Sequence, residues 1–320
     1  MPILMSTLLI IAIAGVLELG LRSFFGFGKP LLYVADPQIG YLLAPNQTTR
    51  RFGHRIAINQ YSMRSSPIAP QRNQDTLRIL LLGDSIANGA WWTDQDETIS
   101  ALLQAQLQTR LSKNQTVPLL QTENLQQVEV LNASANSWSP RNQLAYLKRF
   151  GSFESQAIVL LINTDDLFGT VPTSVQVGRD RNYPAQTPPF ALAEVIQRYA
   201  FKSKPIPELV QLQLAGGDRV GENLAAIQEI YSIAIQSNAQ FFLVITPLLR
   251  ELKPPGSRDY EKTARDRLQA FTETQGIRFL DVLPRFAANS QPETLYRDHI
   301  HLSPIGNQQL VQHMIRSMVD

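Results

Sequence analysis

Two short runs carry the side chains that could do chemistry. Gly83-Asp84-Ser85 directly follows the apolar run Arg78-Ile79-Leu80-Leu81-Leu82, and Asp298-His299-Ile300-His301 stands near the far end of the 320-residue chain. A serine hydroxyl becomes a nucleophile when a general base takes its proton, and that base needs an acid group to fix its tautomer. Asp298 and His301 are three residues apart, so one turn lets the carboxylate reach Nδ1 of the imidazole while Nε2 faces Ser85. Gly83 removes a side chain where the backbone must turn sharply, and a helix starting at the serine would aim N–H groups at a developing oxyanion. Alone, the Gly-Asp-Ser turn reads as a plain helix N-cap; the downstream Asp–His pair makes it a candidate nucleophile. A phosphate loop is disfavoured because the Gly-x-x-x-x-Gly-Lys pattern is absent. A metal site at Asp298, His299 and His301 lacks a second ligand cluster, so His299 reads as exposed and neither metal nor organic cofactor is expected.

These residues need a scaffold that brings them together. The run ending at Gly83 is apolar throughout, as expected of a strand covered on both faces. Similar runs recur at Val128–Leu131, Ala157–Ile162, Phe241–Ile245 and Arg278–Val282. Between them lie helical stretches at Glu97–Leu111, Arg141–Phe150, Glu222–Ser237 and Tyr260–Gln275, with a last helix opening at Ser303-Pro304. Strands alternating with helices imply a parallel sheet with right-handed crossovers, and reactive groups at the carboxyl ends of its strands. Residues 170–221, rich in proline and glycine, read as an insertion with one helix at Phe190–Phe201, a candidate lid.

The two end motifs in this order, Gly83-Asp84-Ser85 after a strand and Asp298-x-x-His301-Leu302-Ser303-x-x-Gly306, resemble the SGNH (GDSL-type) hydrolase family. Matching blocks span 78–317, about three quarters of the chain. The resemblance implies a flavodoxin-like three-layer α/β sandwich on a five-stranded parallel sheet, with Ser85 as nucleophile, His301 as base and Asp298 orienting the histidine. The lead-in Asp36-Pro37-x-x-Gly40-Tyr41, with Asn59 before Ser62-Met63-Arg64, is similar to a segment preceding the domain in membrane-linked members.

Two middle blocks depart from the pattern. The family places a glycine after the second strand, whose N–H joins that of Ser85 in the oxyanion hole; in Leu131-Asn132-Ala133-Ser134, Ser134 falls at its place. The family's oxyanion asparagine is replaced by Asp165 in Asn163-Thr164-Asp165-Asp166. An ionised carboxylate there would repel an oxyanion, which leaves three solutions. Asp165 is kept protonated by burial and its acidic neighbour; or Asn163, about 6–7 Å back on the same strand face, donates instead; or two backbone donors suffice, at a cost of about 3–4 kcal/mol. Trp91-Trp92 reads as packing rather than substrate stacking, and Tyr41, Tyr61 and Met63 as lead-in core.

Ile3–Leu17 is apolar apart from Ser6 and Thr7, and continued to Leu21 or Phe25 it reaches the roughly 20 residues of a membrane span. Glu18 and Arg22 would sit at the interface before Phe24, Phe25 and Phe27. The rival is a cleaved signal peptide with Ala12-Ile13-Ala14 at the cut, although no Lys or Arg precedes the run. The domain order expected is a membrane anchor at 1–25, a β-rich lead-in and linker at 26–74, and the hydrolase-like domain at 75–320. Arg22 and Lys29 after the span would, by the positive-inside tendency, hold the C-terminal side in the cytoplasm; the expectation nonetheless is an extracytoplasmic catalytic domain, with the side left open. The chain is 44% hydrophobic and 18% charged with a net charge of +2, which suits a sizeable core and gives no support to a nucleic-acid partner. The absence of cysteine excludes disulfides and thiolate catalysis. Three functions fit: an esterase acting on a lipid or acylated carbohydrate ester, an O-acyltransferase acting on a cell-surface polysaccharide, or a non-catalytic membrane-tethered binding module.

Overall fold

The computed structural model describes residues 2–113, 115 and 125–319; Met1 and Asp320, the outer bounds of the expected domains, lie outside them. Five strands form one parallel sheet: β5 (Thr76–Gly83), β6 (Gln127–Ser134), β7 (Ala157–Asn163), β8 (Gln240–Thr246) and β9 (Arg278–Asp281), in the order β6-β5-β7-β8-β9. This is the flavodoxin-like order, and its switch point lies between β5 and β7. Every residue of β5 and β7 is buried, as their uninterrupted apolar runs require.

Side-chain alternation divides those runs between two core layers. Leu80, Leu82, Ile158 and Leu160 face α4 (Pro140–Phe150), α7 (Arg219–Gln236) and α8 (Asp259–Gln275). Ile79, Leu81, Val159 and Leu161 point the other way and meet α3 (Ile99–Ser112) and α10 (Pro304–Val319). Cutting one such leucine to alanine costs about 2–5 kcal/mol. The last helix starts as the sequence dictates: Ser303 Oγ accepts from the Gly306 N–H at 3.1 Å, with Pro304 at the first position.

The lead-in is two hairpins, β1 (Tyr33–Asp36) with β2 (Gly40–Leu43), and β3 (Gln47–Arg51) with β4 (His54–Ile58). Phe52 and Gly53 both have positive φ, +48° and +91°, the requirement of a two-residue hairpin turn that follows strand twist. Tyr33, Tyr41, Ile56 and Met63 join the same core layer as α4 and α7, and Tyr61 packs beside it. Arg64, 1% exposed, donates to the carbonyls of Asn88 and Ala90 at 2.6 Å and of Thr93 at 2.5 Å, fastening the lead-in to the segment after Ser85.

The insertion holds two helices where one was expected, α5 (Ala191–Tyr199) and α6 (Pro207–Leu214). The N-terminal helix, α1 (Pro2–Gly20), overlaps an apolar stretch of 23 residues, Ile3–Phe25, in which an 18-residue window has mean hydropathy 2.3 and none of that window is buried. At 1.5 Å per residue it reaches roughly 34 Å, enough for a bilayer core. Its end is tied to the insertion: Glu18 Oε1 and Oε2 accept from the N–H groups of Ala191 and Leu192 at 2.8 and 3.0 Å, and Arg22 donates to the Pro189 carbonyl at 3.2 Å.

Candidate active site

Ser85 opens α2 (Ser85–Asn88) at the carboxyl end of β5, beside the switch point. Asp84 caps this turn, accepting the Ile86 N–H at 2.8 Å. A Cβ on Gly83 would lie 2.4 Å from the Ala87 Cβ, so only glycine admits so tight a strand-to-helix turn. The second Asp84 oxygen accepts the Asn163 amide at 2.8 Å, tying the ends of β5 and β7 together. Burial pushes the Asp84 carboxyl up, against the Ile86 N–H, the field of His301 and the Asn163 amide, which pull it down. Burial and then Asp84 itself hold Asp166, which accepts the Asn163 N–H at 2.9 Å, well above the usual carboxylate range.

His301 meets this turn from a segment 216 residues away, its Nε2 2.9 Å from Ser85 Oγ. Its Nδ1 lies 2.8 and 3.0 Å from the two Asp298 oxygens. One of those oxygens also accepts the N–H groups of Ile300 and His301, at 3.0 and 2.9 Å, so the carboxylate organises the turn that presents the ring. Burial alone would raise the Asp298 pKa, but these N–H groups and the imidazole outweigh it and hold the carboxyl below its ordinary value. The ring edge packs on Trp92, centroids 4.6 Å apart, and Arg297 lies 5.0 Å over Trp92 and 5.4 Å over Trp91. Trp91 and Trp92 pack against each other, and both line the cavity. His299 is exposed, with its side chain at 82%.

The expected oxyanion residues are distributed differently. Ser134 is buried at the end of β6, its hydroxyl donated to Asn132 at 2.5 Å, and does not reach the cavity in front of Ser85. Asn136 and Ser137 line that cavity. Ser137 has φ +60°, the left-handed conformation a glycine would adopt without cost, so the glycine-like backbone falls three residues after Ser134. The Asn163 amide donates to Asp84, and Asn163 does not line the cavity. Asp165 does not line the cavity. Desolvation raises its pKa against the field of Arg250, with Glu251 adding to the rise.

The cavity holds about 510 Å³ and is walled by three parts of the chain. The sheet end supplies Ser85, Trp91, Trp92, Ser137 and His301; the lead-in supplies Phe27, Lys29, Arg51 and Phe52; the insertion supplies Asn182, Tyr183, Arg198 and Tyr199. The Tyr41 hydroxyl donates to the Asn136 carbonyl at 2.5 Å and the Tyr183 hydroxyl to Ser137 Oγ at 2.8 Å, so both segments also hold the 135–138 loop. Sequence reasoning missed these supports; the turn chemistry around Asp36-Pro37 and Gly40-Tyr41 was the signal available. Among the described residues no group of three or more His, Cys, Asp or Glu side chains is placed to hold a metal.

A serine at a strand-turn-helix corner, 2.9 Å from an Asp-held histidine at the carboxyl end of a doubly wound sheet, has the geometry that serine hydrolases use. Residues 81–309 match the GDSL-like lipase/acylhydrolase family, and the chain belongs to it. No curated protein matches. Solved structures with a similar fold include LAE5, an α/β hydrolase from the metagenome of Lake Arreo in Spain, at 16% identity over 75% of this chain and 94% of that one, TM-score 0.47. The acetylxylan esterase Axe2 from Geobacillus stearothermophilus is 14% identical over 75% and 93%, TM-score 0.47. TesA is 14% identical over 75% and 97%, TM-score 0.45.

Proposed function

We propose that the chain is a serine esterase working through an acyl-enzyme on Ser85. Ser85 Oγ attacks the ester carbonyl carbon while His301 Nε2 takes its proton, and Asp298 holds Nδ1–H and stabilises the imidazolium. The tetrahedral oxyanion accepts hydrogen bonds from the backbone N–H groups of Ser85 and Ser137, the latter lining the cavity where Ser134 does not. Collapse breaks the bond to the alcohol, which leaves with the proton from His301. Water, deprotonated by His301, then attacks the acyl carbon; the acyl–Ser85 Oγ bond breaks, His301 returns the proton to Oγ, and the acid leaves. No residue in this cycle calls for a metal or organic cofactor.

The observation that carries this reading is the 2.9 Å approach of His301 Nε2 to Ser85 Oγ. A fluorophosphonate should label the folded protein at Ser85, and Ser85→Ala should abolish both labelling and release of 4-nitrophenol from its acetate. A folded, unlabelled wild type would refute the reading in favour of a non-catalytic module.

The stretch Ile3–Phe25 is proposed as a retained anchor, because its length and hydropathy suit a span and no Lys or Arg precedes it as in a signal peptide. Phe27 and Lys29, just past it, already line the cavity, which fits an ester presented at a membrane surface, lipid or glycan. The insertion wall leaves room beside the serine for an acceptor, so O-acyl transfer is the second reading. Comparing release of free acid with transfer to an added sugar decides between them.

A further inference from the structure

Away from the Asp298–His301 pair, the cavity wall carries cations that ester cleavage does not use. Arg51 ends β3 with its side chain 8% exposed; its Nη2 donates to Glu194 Oε1 at 2.5 Å and its guanidinium lies 4.3 Å over the Phe27 ring. Its Nη1 is buried and finds no hydrogen-bond acceptor among the described residues, although the side chain lines the cavity. Arg198 sits one turn along α5 from Glu194, at 3.7 Å, and lines the same wall. Two of its nitrogens are used, Nη1 on Asn182 Oδ1 at 3.2 Å and Nη2 on the Arg181 carbonyl at 3.0 Å, while Nε also lacks an acceptor among the described residues. Lys29 lines the wall as a third cation.

Arg51 and Arg198 thus share one carboxylate, Glu194, which also accepts the Gly28 N–H at 2.7 Å. Burial, and then the like charge of Arg51, pull the Arg198 pKa down, opposed by Glu194. A guanidinium N–H withdrawn from water without an acceptor carries a desolvation cost that an incoming anion would recover as a charge-assisted hydrogen bond.

We propose that this wall is a subsite for an anionic group, carboxylate or phosphate, carried by the ester substrate, with Arg51 as its principal donor. The proposal rests on the esterase reading of Ser85 and narrows the substrate class to acidic esters: an acylated acidic sugar or a phosphate-bearing lipid.

The test uses the full chain in neutral detergent at fixed ionic strength, with hydrolysis of 4-nitrophenyl acetate as readout. Glucuronate is compared with glucose, and glycerol 3-phosphate with glycerol, as competitive inhibitors. Each anion should bind about tenfold tighter than its neutral counterpart, the effect of one charge-assisted bond, and the tighter anion identifies the source. The double variant Arg51→Gln/Glu194→Gln, which removes both members of the buried pair, should shrink that ratio at least about fivefold. If that variant does not fold, Arg198→Gln, at a less buried position, takes its place and should shrink the ratio about twofold, as fits a secondary donor. Equal inhibition by anion and neutral sugar, or a ratio unmoved in a folded variant, overturns the subsite. Tryptophan fluorescence from Trp91 and Trp92 reads anion binding without turnover. Failure of Ser85 chemistry therefore shows as lost hydrolysis with anion binding intact, and failure of the subsite as the reverse.

Discussion

The two ends of the cavity are held by different kinds of contact. At the serine end each side chain is presented by its own short turn: Asp84 caps α2 one residue before Ser85, and Asp298 accepts the N–H of His301 three residues on. The opposite wall has no such local logic. Arg51 and Glu194 are 143 residues apart and Glu194 and Gly28 are 166 apart, on a hairpin and an insertion helix that meet only after folding. The chemistry is thus fixed by backbone turns at strand ends, whereas recognition is left to long-range ion pairs that can change without disturbing the sheet.

The largest effect should come from Asp298→Asn, which offers Nδ1 the wrong partner and should lower kcat roughly 10⁴-fold while the urea midpoint moves little by comparison. A drop under tenfold would show that the turn, and not the carboxylate, is what the serine end requires. The same residue gives a pH signature. Its folded pKa lies below the ordinary 3.8, so the stabilisation is full above 3.8 and is lost as pH falls through the folded value. The stability gap between wild type and Asp298→Asn should therefore narrow in acid; a gap constant down to about pH 2.5 would contradict the assignment.

Glu194→Ala should act on the other wall. Leaving Arg51 buried and uncompensated should cost about 3–5 kcal/mol in urea unfolding, with Ser85 still labelled in the folded fraction. Simultaneous loss of labelling would mean that the two walls are not separable. Trp92→Ala removes the ring that packs on His301 and should lower kcat about 2–10-fold with little change in KM. Asp165→Asn should alter kcat by less than about threefold, since the carboxyl does not line the cavity. A large gain would return Asp165 to the oxyanion hole.

The contrast also explains what could be read in advance. β5 and β7 are apolar from end to end, and burial on both faces leaves little else such runs can be, so the parallel sheet and the serine's position at its mouth followed from pattern. Asp298 and His301 were readable because a three-residue spacing fixes their geometry within one turn. The loop after β6 obeys no period: whether Ser134 or Ser137 takes the left-handed backbone depends on Tyr41 and Tyr183 gripping it from elsewhere. α6 escaped notice because none of its residues is buried, so no core-facing stripe announces it. The Arg51–Glu194 pair joins two ordinary charged residues, and nothing in either neighbourhood names the other.

The bond from Glu18 to the first N–H groups of α5 makes the end of the apolar N-terminal helix a strut for the Arg51–Glu194 wall, since α5 carries both Glu194 and Arg198. Processing after Ala14 would spare that strut. Trimming the chain to begin at residue 26, the obvious way to make it soluble, would remove it and leave α5 uncapped. A trimmed enzyme could then keep full reactivity toward small neutral esters while losing its discrimination among natural ones, and its substrate profile would understate what the full-length chain selects.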